Sequence, residues 1–279
     1  MSNMVGRKTK WSNLQRKLPE GLLVDAAWLR RNHYSRQLWH HYVTTGLLEQ
    51  VVPRVFRRPR GALTWQQVVV SLQTQLQLPL VIGGRTALEL QGYAHYLSQE
   101  ATEVHLYGPE HPPSWLNELR LGQRFIYHND RRLFRKNTIP SKLPGLDWNP
   151  GDSSSLSESL TVQPWGQWNW PLTLSTAERA VLELLDELPQ RESFHQADML
   201  MESLATLSPG RLQNLLEDCR SVKVNRLFFF LADRHQHAWL KRLDKHAVPL
   251  GKGKRMLVKG GKLNKAYQIT VPEEMDAVS

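Results

Sequence analysis

The chain has 279 residues, room for two domains or three, and its 41% hydrophobic and 22% charged residues are an ordinary globular balance. Its net charge is +10, and nine of those charges arise up to Leu63, where twelve Lys and Arg face only Glu20, Asp25 and Glu49. A single cysteine, Cys219, excludes an intrachain disulfide and suits a reducing compartment. No apolar segment follows the basic N-terminus, and the longest strongly apolar run, Leu227 to Ala232, is too short to span a bilayer; the expectation is a soluble cytoplasmic protein.

A charge field this one-sided attracts a polyanion, and nucleic acid is the first candidate. Leu22 to Asn32 spaces Leu22, Leu23, Ala26, Ala27 and either Leu29 or Trp28 for one helix face. After a break at His33-Tyr34-Ser35, Ser35 is placed to cap a second helix reaching about Thr45 and closed by Gly46. Leu38, Trp39, Tyr42 and Val43 form its inner stripe, leaving Ser35, Arg36, Gln37, His40, His41 and Thr44 outward. Two short helices around a tight turn predict a helix-turn-helix. The following Leu47 to Val52, a turn at Pro53-Arg54 and Val55 to Arg58 predict a two-stranded wing carrying Arg54, Arg57, Arg58 and Arg60 towards phosphates or a minor groove. Arg36 and Gln37 suit guanine and adenine edges. Arg7, Lys8 and Lys10 read as a flexible basic arm that adds phosphate contacts to the DNA interface. His40 and His41 lack the companion ligands of a metal site, and no metal or other cofactor is expected.

Residues 64–150 form a second unit. Leu63 to Leu76 reads as a helix. Leu80 to Ile82, Gly83-Gly84 and the residues to Leu90 read as strand, glycine turn and helix, and Glu103 to Tyr107 as a further strand. A glycine pair opening a helix, then a strand bearing Asp-x-Asp, is the pattern of nucleotidyltransferases, whose glycines admit phosphates and whose carboxylates hold a divalent metal. Here those positions are Glu103 and His105, a poor pair for a hard cation, so no catalytic residue is assigned. Phe125 to His128 and Leu133 to Arg135 read as a hairpin around Asn129-Asp130, and the Pro-, Gly- and Ser-rich stretch from Pro140 to Leu160 as a linker or long loop.

Residues 151–279 read as helical with a basic end. Ser175-Thr176-Ala177-Glu178 has the form of a capping box, Ser193 and Gln196 repeat it before Phe194 to Leu204, and Pro209 opens a third helix. Eleven carboxylates between Asp152 and Asp218 against three arginines predict a surface kept off DNA. Cys219, on the helical run Arg211 to Arg220, reads as a packing residue. Near the C-terminus Lys252, Lys254, Arg255, Lys259, Lys262 and Lys265 suggest a basic hairpin, with strands Met256–Lys259 and Ala266–Val271, that meets a nucleic acid or an acidic partner; a merely solvated face is the alternative.

The fold class expected is therefore α+β: an N-terminal winged helix-turn-helix over residues 1–63, then a larger mixed α/β part. Ile82-Gly83-Gly84-Arg85-Thr86-Ala87-Leu88-Glu89-Leu90, Leu174-Ser175-Thr176-Ala177-Glu178-Arg179-Ala180 and Ser221-Val222-Lys223-Val224-Asn225-Arg226-Leu227-Phe228, in this order after the winged helix, resemble the AbiEi antitoxins of bacterial type IV toxin–antitoxin systems, across about Leu14 to Val271. The resemblance implies double-stranded DNA as partner, through inverted repeats in the protein's own promoter, and a C-terminal part that neutralises a nucleotidyltransferase-like toxin, with or without direct contact. The degenerate Gly83-Gly84 and Glu103-x-His105 pattern would make the chain a distant echo of that toxin's fold. No heptad run suggests a coiled-coil dimer, so a monomer binding the repeats cooperatively is expected. Two alternatives stay open: a nucleotidyltransferase acting on nucleic acid, and a winged helix that docks a protein.

Overall fold

The computed structural model describes residues 2–93, 102–149 and 156–275. It opens with a helix, α1 (Ser2–Lys17), where the sequence suggested a flexible arm. Leu14, at its inner face, and Leu18, just beyond its end, are fully buried and hold it on the module behind. The stretch expected as one helix from Leu22 divides into β1 (Leu23–Asp25) and α2 (Ala26–Arg31). Leu22, Leu23 and Val24 are all fully buried, as a strand covered on both faces requires, and the Asp25 side chain then accepts from Trp28 N at 2.6 Å to start the helix.

Ser35 caps α3 (Arg36–Thr44) as expected, its hydroxyl accepting from Leu38 N at 3.3 Å, and Gly46 closes the segment at φ +72. β2 (Glu49–Val52) and β3 (Val55–Arg57) form the expected hairpin. β1 adds to it, giving an antiparallel sheet in the order β1-β3-β2.

The next helix is buried except at Gln66, which is half-buried. α4 (Trp65–Val70) starts in a capping box between Thr64 and Gln67 and passes into a π-helical turn, Ser71–Gln75. Its polar residues are spent on neighbouring backbone. Ser71 Oγ accepts from Leu23 N at 2.8 Å, tying down β1. The Gln73 amide donates to Leu80 O and Thr173 O and accepts from Thr173 N, at 2.8–2.9 Å.

Those last contacts reach a five-stranded sheet in the order β6-β5-β4-β8-β7. Its strands are β4 (Val81–Ile82), β5 (Glu103–Gly108), β6 (Arg124–Asn129), β7 (Leu160–Trp165) and β8 (Trp170–Ser175), with α5 (Gly84–Leu90) after β4. β4 runs antiparallel to β5 and parallel to β8, so strands from both sides of residue 150 share one sheet. The β7–β8 hairpin had no counterpart in the sequence analysis.

The hairpin expected around Asn129-Asp130 is not formed. β6 pairs parallel with β5, and Asp130 starts a short 3-10 turn. Phe134 instead bridges to Cys219, and the amides of Arg135, Lys136 and Asn137 converge on the Asp218 carboxylate at 2.8–3.2 Å. The backbone thus finds partners on a distant helix rather than on an adjacent strand. Pro140 to Asn149 is irregular, and Ser153 to Ser155 lie outside the described residues.

Four helices complete the chain: α6 (Ala177–Asp186), α7 (Phe194–Ser203), α8 (Pro209–Asp218) and α9 (Val222–His235). The capping box expected at Ser175–Glu178 is absent, because tertiary partners take both side chains. Ser175 Oγ donates to Glu183, and Glu178 accepts from Ser208 N at 2.7 Å and from Arg211 at 3.0 Å. At the end, β9 (Lys262–Asn264) pairs with β10 (Ile269–Val271). The expected strand Met256–Lys259 does not form; Arg255 alone bridges to Ile269. The main apolar cluster runs from Leu14 to Met275, and a smaller one gathers Val81, Tyr107, Ile139, Leu143 and Leu160.

Candidate nucleic-acid interface

α3 turns one face inward and one outward. Trp39 and Tyr42 are buried, the Tyr42 ring lying 5.0 Å from Trp11 of α1 and the Trp39 ring 6.1 Å from Phe56 of β3. Ser35, Arg36, Gln37, His40, His41 and Thr44 are all exposed. Arg36 Nε donates to His40 Nε2 at 3.4 Å, so these two share one ridge, as positions four apart on a helix do. Thr44 Oγ1 is turned back to His41 O at 3.0 Å. At the hairpin turn Arg54 is exposed, with φ +68. Arg30 and Arg31, at the exposed end of α2, join the outward cations; their charge was evident from the sequence, their outward placement was not.

The other basic residues are placed differently. Arg57 is only 6% exposed; its Nε donates to Glu49 at 2.7 Å and a terminal nitrogen to Gly61 O at 2.9 Å. It lies across the hairpin from Glu49, in register, and faces inward. Arg58 donates to Leu18 O at 3.0 Å, Gln15 O at 3.4 Å and Glu20 at 2.7 Å. Arg60 is exposed, 3.4 Å from Glu20 and 5.2 Å above the Trp168 ring at the tip of the β7–β8 hairpin. Lys10 Nζ donates to His33 O at 2.8 Å. The side chains of Arg7 and Lys8 lie outside the described residues.

The strand–turn–helix segment at Gly83-Gly84 is formed as expected, with β5 beside it. Its amide is occupied from within: Gly84 N donates to Glu183 Oε2 at 2.9 Å, and Glu183 Oε1 accepts from Arg179 at 2.7 Å and Ser175 at 3.1 Å. Arg179 and Glu183 are fully buried, and Arg179 reaches on to Asn137 O at 2.6 Å and lies 4.7 Å over the Phe134 ring.

Where a metal-binding carboxylate pair would stand, Glu103 is held by Arg124 and His105 is buried. His105 Nδ1 lies 2.9 Å from His128 Nε2, and His128 Nδ1 3.1 Å from Glu187. The Glu187 carboxylate only accepts, so His128 carries a hydrogen on Nδ1 and turns Nε2 to His105. Burial, then the neighbouring His128, lowers the His105 pKa to about 4, so the ring is neutral near pH 7. Burial pushes the Glu187 carboxyl up, but the hydrogen bond and charge of His128, with His105 and Arg191, outweigh it and hold the group below its usual value. Among the described residues no group of three or more His, Cys, Asp or Glu could hold a metal ion.

The carboxylates between Asp152 and Asp218 do not form one acidic face: Glu178, Glu183 and Glu192 are buried in ion pairs, and Asp218 binds backbone. Lys252, Lys254, Arg255, Lys259, Lys262 and Lys265 are all exposed, on a segment fixed from beneath by Arg226. That arginine, 3% exposed, donates to Leu250 O at 2.6 Å, Gly253 O at 2.7 Å and Gln268 O at 3.3 Å. Cys219 is buried, and burial raises its thiol to about 12. No helix among the described residues is long and apolar enough to cross a membrane.

The basic module and the mixed α/β body both fall within residues that match known families. Residues 7–99 match the model of the AbiEi antitoxin N-terminal domain of transcriptional regulators, and residues 101–272 that of the AbiEi antitoxin transcriptional regulators of type IV toxin–antitoxin systems. The chain belongs to this AbiEi antitoxin family. Its fold is similar to the crystal structure of the RV2827C protein from Mycobacterium tuberculosis, at TM-score 0.56 and 16% identity over 93% of this chain and 88% of that one. No curated protein matches the chain.

Proposed function

We propose that residues 1–63 are a winged helix-turn-helix with α3 as recognition helix and the β2–β3 hairpin as wing, and that the protein represses its own toxin–antitoxin promoter by binding inverted repeats there. The observation that carries this is the outward face of α3, where Arg36, Gln37 and His40 are exposed while Trp39 and Tyr42 anchor the opposite side. Arg36 and Gln37 read base edges, and Arg54 meets phosphate at the wing tip. Two monomers occupy the repeats cooperatively. The C-terminal part neutralises a nucleotidyltransferase-like toxin, and the exposed cations from Lys252 to Lys265 serve as its further contact with nucleic acid or an acidic partner.

The test is fluorescence anisotropy of the protein with its own upstream duplex and with a shuffled one, at low and near-physiological salt. Preference for the upstream duplex that persists in salt supports the repressor; equal binding that vanishes with salt leaves only a basic surface. Arg36→Ala is expected to lose about 1–3 kcal/mol on the upstream duplex and little on the shuffled one. Equal loss on both would remove Arg36 from base recognition. Against the enzymatic alternative stands Glu183, which fills the Gly84 amide from inside the protein. Metal-dependent incorporation of labelled nucleotide, abolished in Glu103→Gln, would revive it.

A further inference from the structure

We infer that Lys10 and Arg58 are positioning residues of the DNA-binding module: they contact no phosphate, and they act by fixing α1, which sets the wing and the recognition helix relative to each other. This rests on the DNA-binding role proposed above.

Arg58 leaves the end of β3 and turns away from the wing tip. Its guanidinium, 13% exposed on the side chain, takes the Gln15 and Leu18 carbonyls at the C-terminal end of α1 and the Glu20 carboxylate. A cation at that end also meets the negative end of the helix dipole. The same guanidinium lies 5.8 Å from the Trp11 ring, and Trp11 packs at 5.0 Å on Tyr42 of α3. Wing, α1 and recognition helix are therefore joined through one continuous set of contacts.

Lys10, also on α1, acts on the turn that precedes α3. His33, in the turn before α3, has φ +62, a left-handed conformation that a side chain disfavours. Its carbonyl accepts from Lys10 Nζ at 2.8 Å. Beside it Tyr34 OH donates to Lys10 O at 3.4 Å, and Lys17 Nζ donates to Asn32 Oδ1 at 2.8 Å. The turn that aims the recognition helix is thus held by α1.

Salt dependence separates positioning from contact. Each phosphate neutralised adds about 0.9 to the slope of log affinity against log salt, whereas a residue that only orients others adds nothing. The experiment measures binding of the full chain to its own upstream duplex and to a shuffled duplex across a salt series. The variants are Lys10→Met, Lys10→Arg, Arg58→Met and Arg58→Lys, with Arg54→Ala as a phosphate-contact reference. Lys10→Met and Arg58→Met are expected to weaken the upstream duplex about tenfold, the scale of one charge-assisted hydrogen bond, with the slope unchanged. Lys10→Arg restores binding; Arg58→Lys keeps the charge but not the fork, and does not. Arg54→Ala lowers the slope by about one. A slope lowered by about one in Lys10→Met, or unchanged affinity in that variant, overturns the inference. If Arg58→Met fails to fold, as circular dichroism would report, Lys10→Met decides, since that side chain is exposed. Wild-type protein that does not distinguish the two duplexes instead defeats the DNA-binding role itself, and the inference with it.

Discussion

Arg54 and Arg57 lie three residues apart on one hairpin and carry the same charge, yet only Arg54 is exposed. Arg54 sits in the turn, whereas β3 is the middle strand and buried along its length, with Arg57 between Leu23 and Glu49. The hairpin was legible in the sequence, but the facing of each arginine needed the register. Arg57→Ala is expected to destabilise the fold by about 1.5–3 kcal/mol, the range for a hydrogen bond to a charged group, rather than to remove a phosphate contact. A lower melting temperature with an unchanged salt slope checks this. His105 makes a second prediction. Its pKa of about 4 in the folded protein lies below the 6.5 of a free imidazole. Between those values the unfolded chain takes up a proton that the folded chain refuses, so stability falls as pH drops from 6.5 to 4, by about 3 kcal/mol, and this contribution levels off below. Glu187 acts in the same sense: its depressed pKa gives stability above the unfolded value that is lost as pH falls through the folded one. His105→Gln should flatten the dependence of melting temperature on pH in that window; an identical slope in both proteins would refute the assignment.

At the level of elements, caps and glycines were the readable signals. Ser35, Gly46, Ser193 and Pro209 mark helix ends where the sequence placed them. Side chains recruited by distant partners were not readable. Glu178 has the spacing of a capping residue, but Ser208 N and Arg211 hold it, a choice visible only once α8 is packed on α6. β6 likewise looked like half of a hairpin, and its actual partner, β5, stands some twenty residues earlier. The Gly83-Gly84 turn was foreseen, but its occupant, a hundred residues on, was not. Gly83 has no room for a side chain, since a methyl group would run into Glu183 Oε2 and the Tyr107 ring. Gly83→Ala should therefore cost about 1–3 kcal/mol through overpacking, read as a lower denaturation midpoint. A midpoint equal to wild type would mean that the Glu183 carboxylate yields freely.

At the scale of the molecule, the N-terminal family match ends at residue 99 and the next begins at 101, but the sheet ignores that junction. β4, its central strand, and the π-helical turn Ser71–Gln75 that ties Leu23 to Thr173 both come from the earlier segment. A chain begun at residue 101 leaves β5 and β8 with open edges and should aggregate or lose cooperative unfolding, tested by gel filtration and circular dichroism. A monomeric, cooperatively melting 101–279 fragment would show that β4 is dispensable. Composition revealed the charge boundary near Leu63, because charge is local in sequence. It could not reveal that apolar packing continues across it.

That continuity of packing bears on the protein's lifetime. With the helix at 65–75 buried between the basic module and the sheet, opening either part strips cover from the other. In the proposed role, a protease acting on such an opened state would remove promoter occupancy and toxin control together. In that role, the cell could not shed one activity while keeping the other: both would decay with a single half-life, and new synthesis would restore them in fixed proportion.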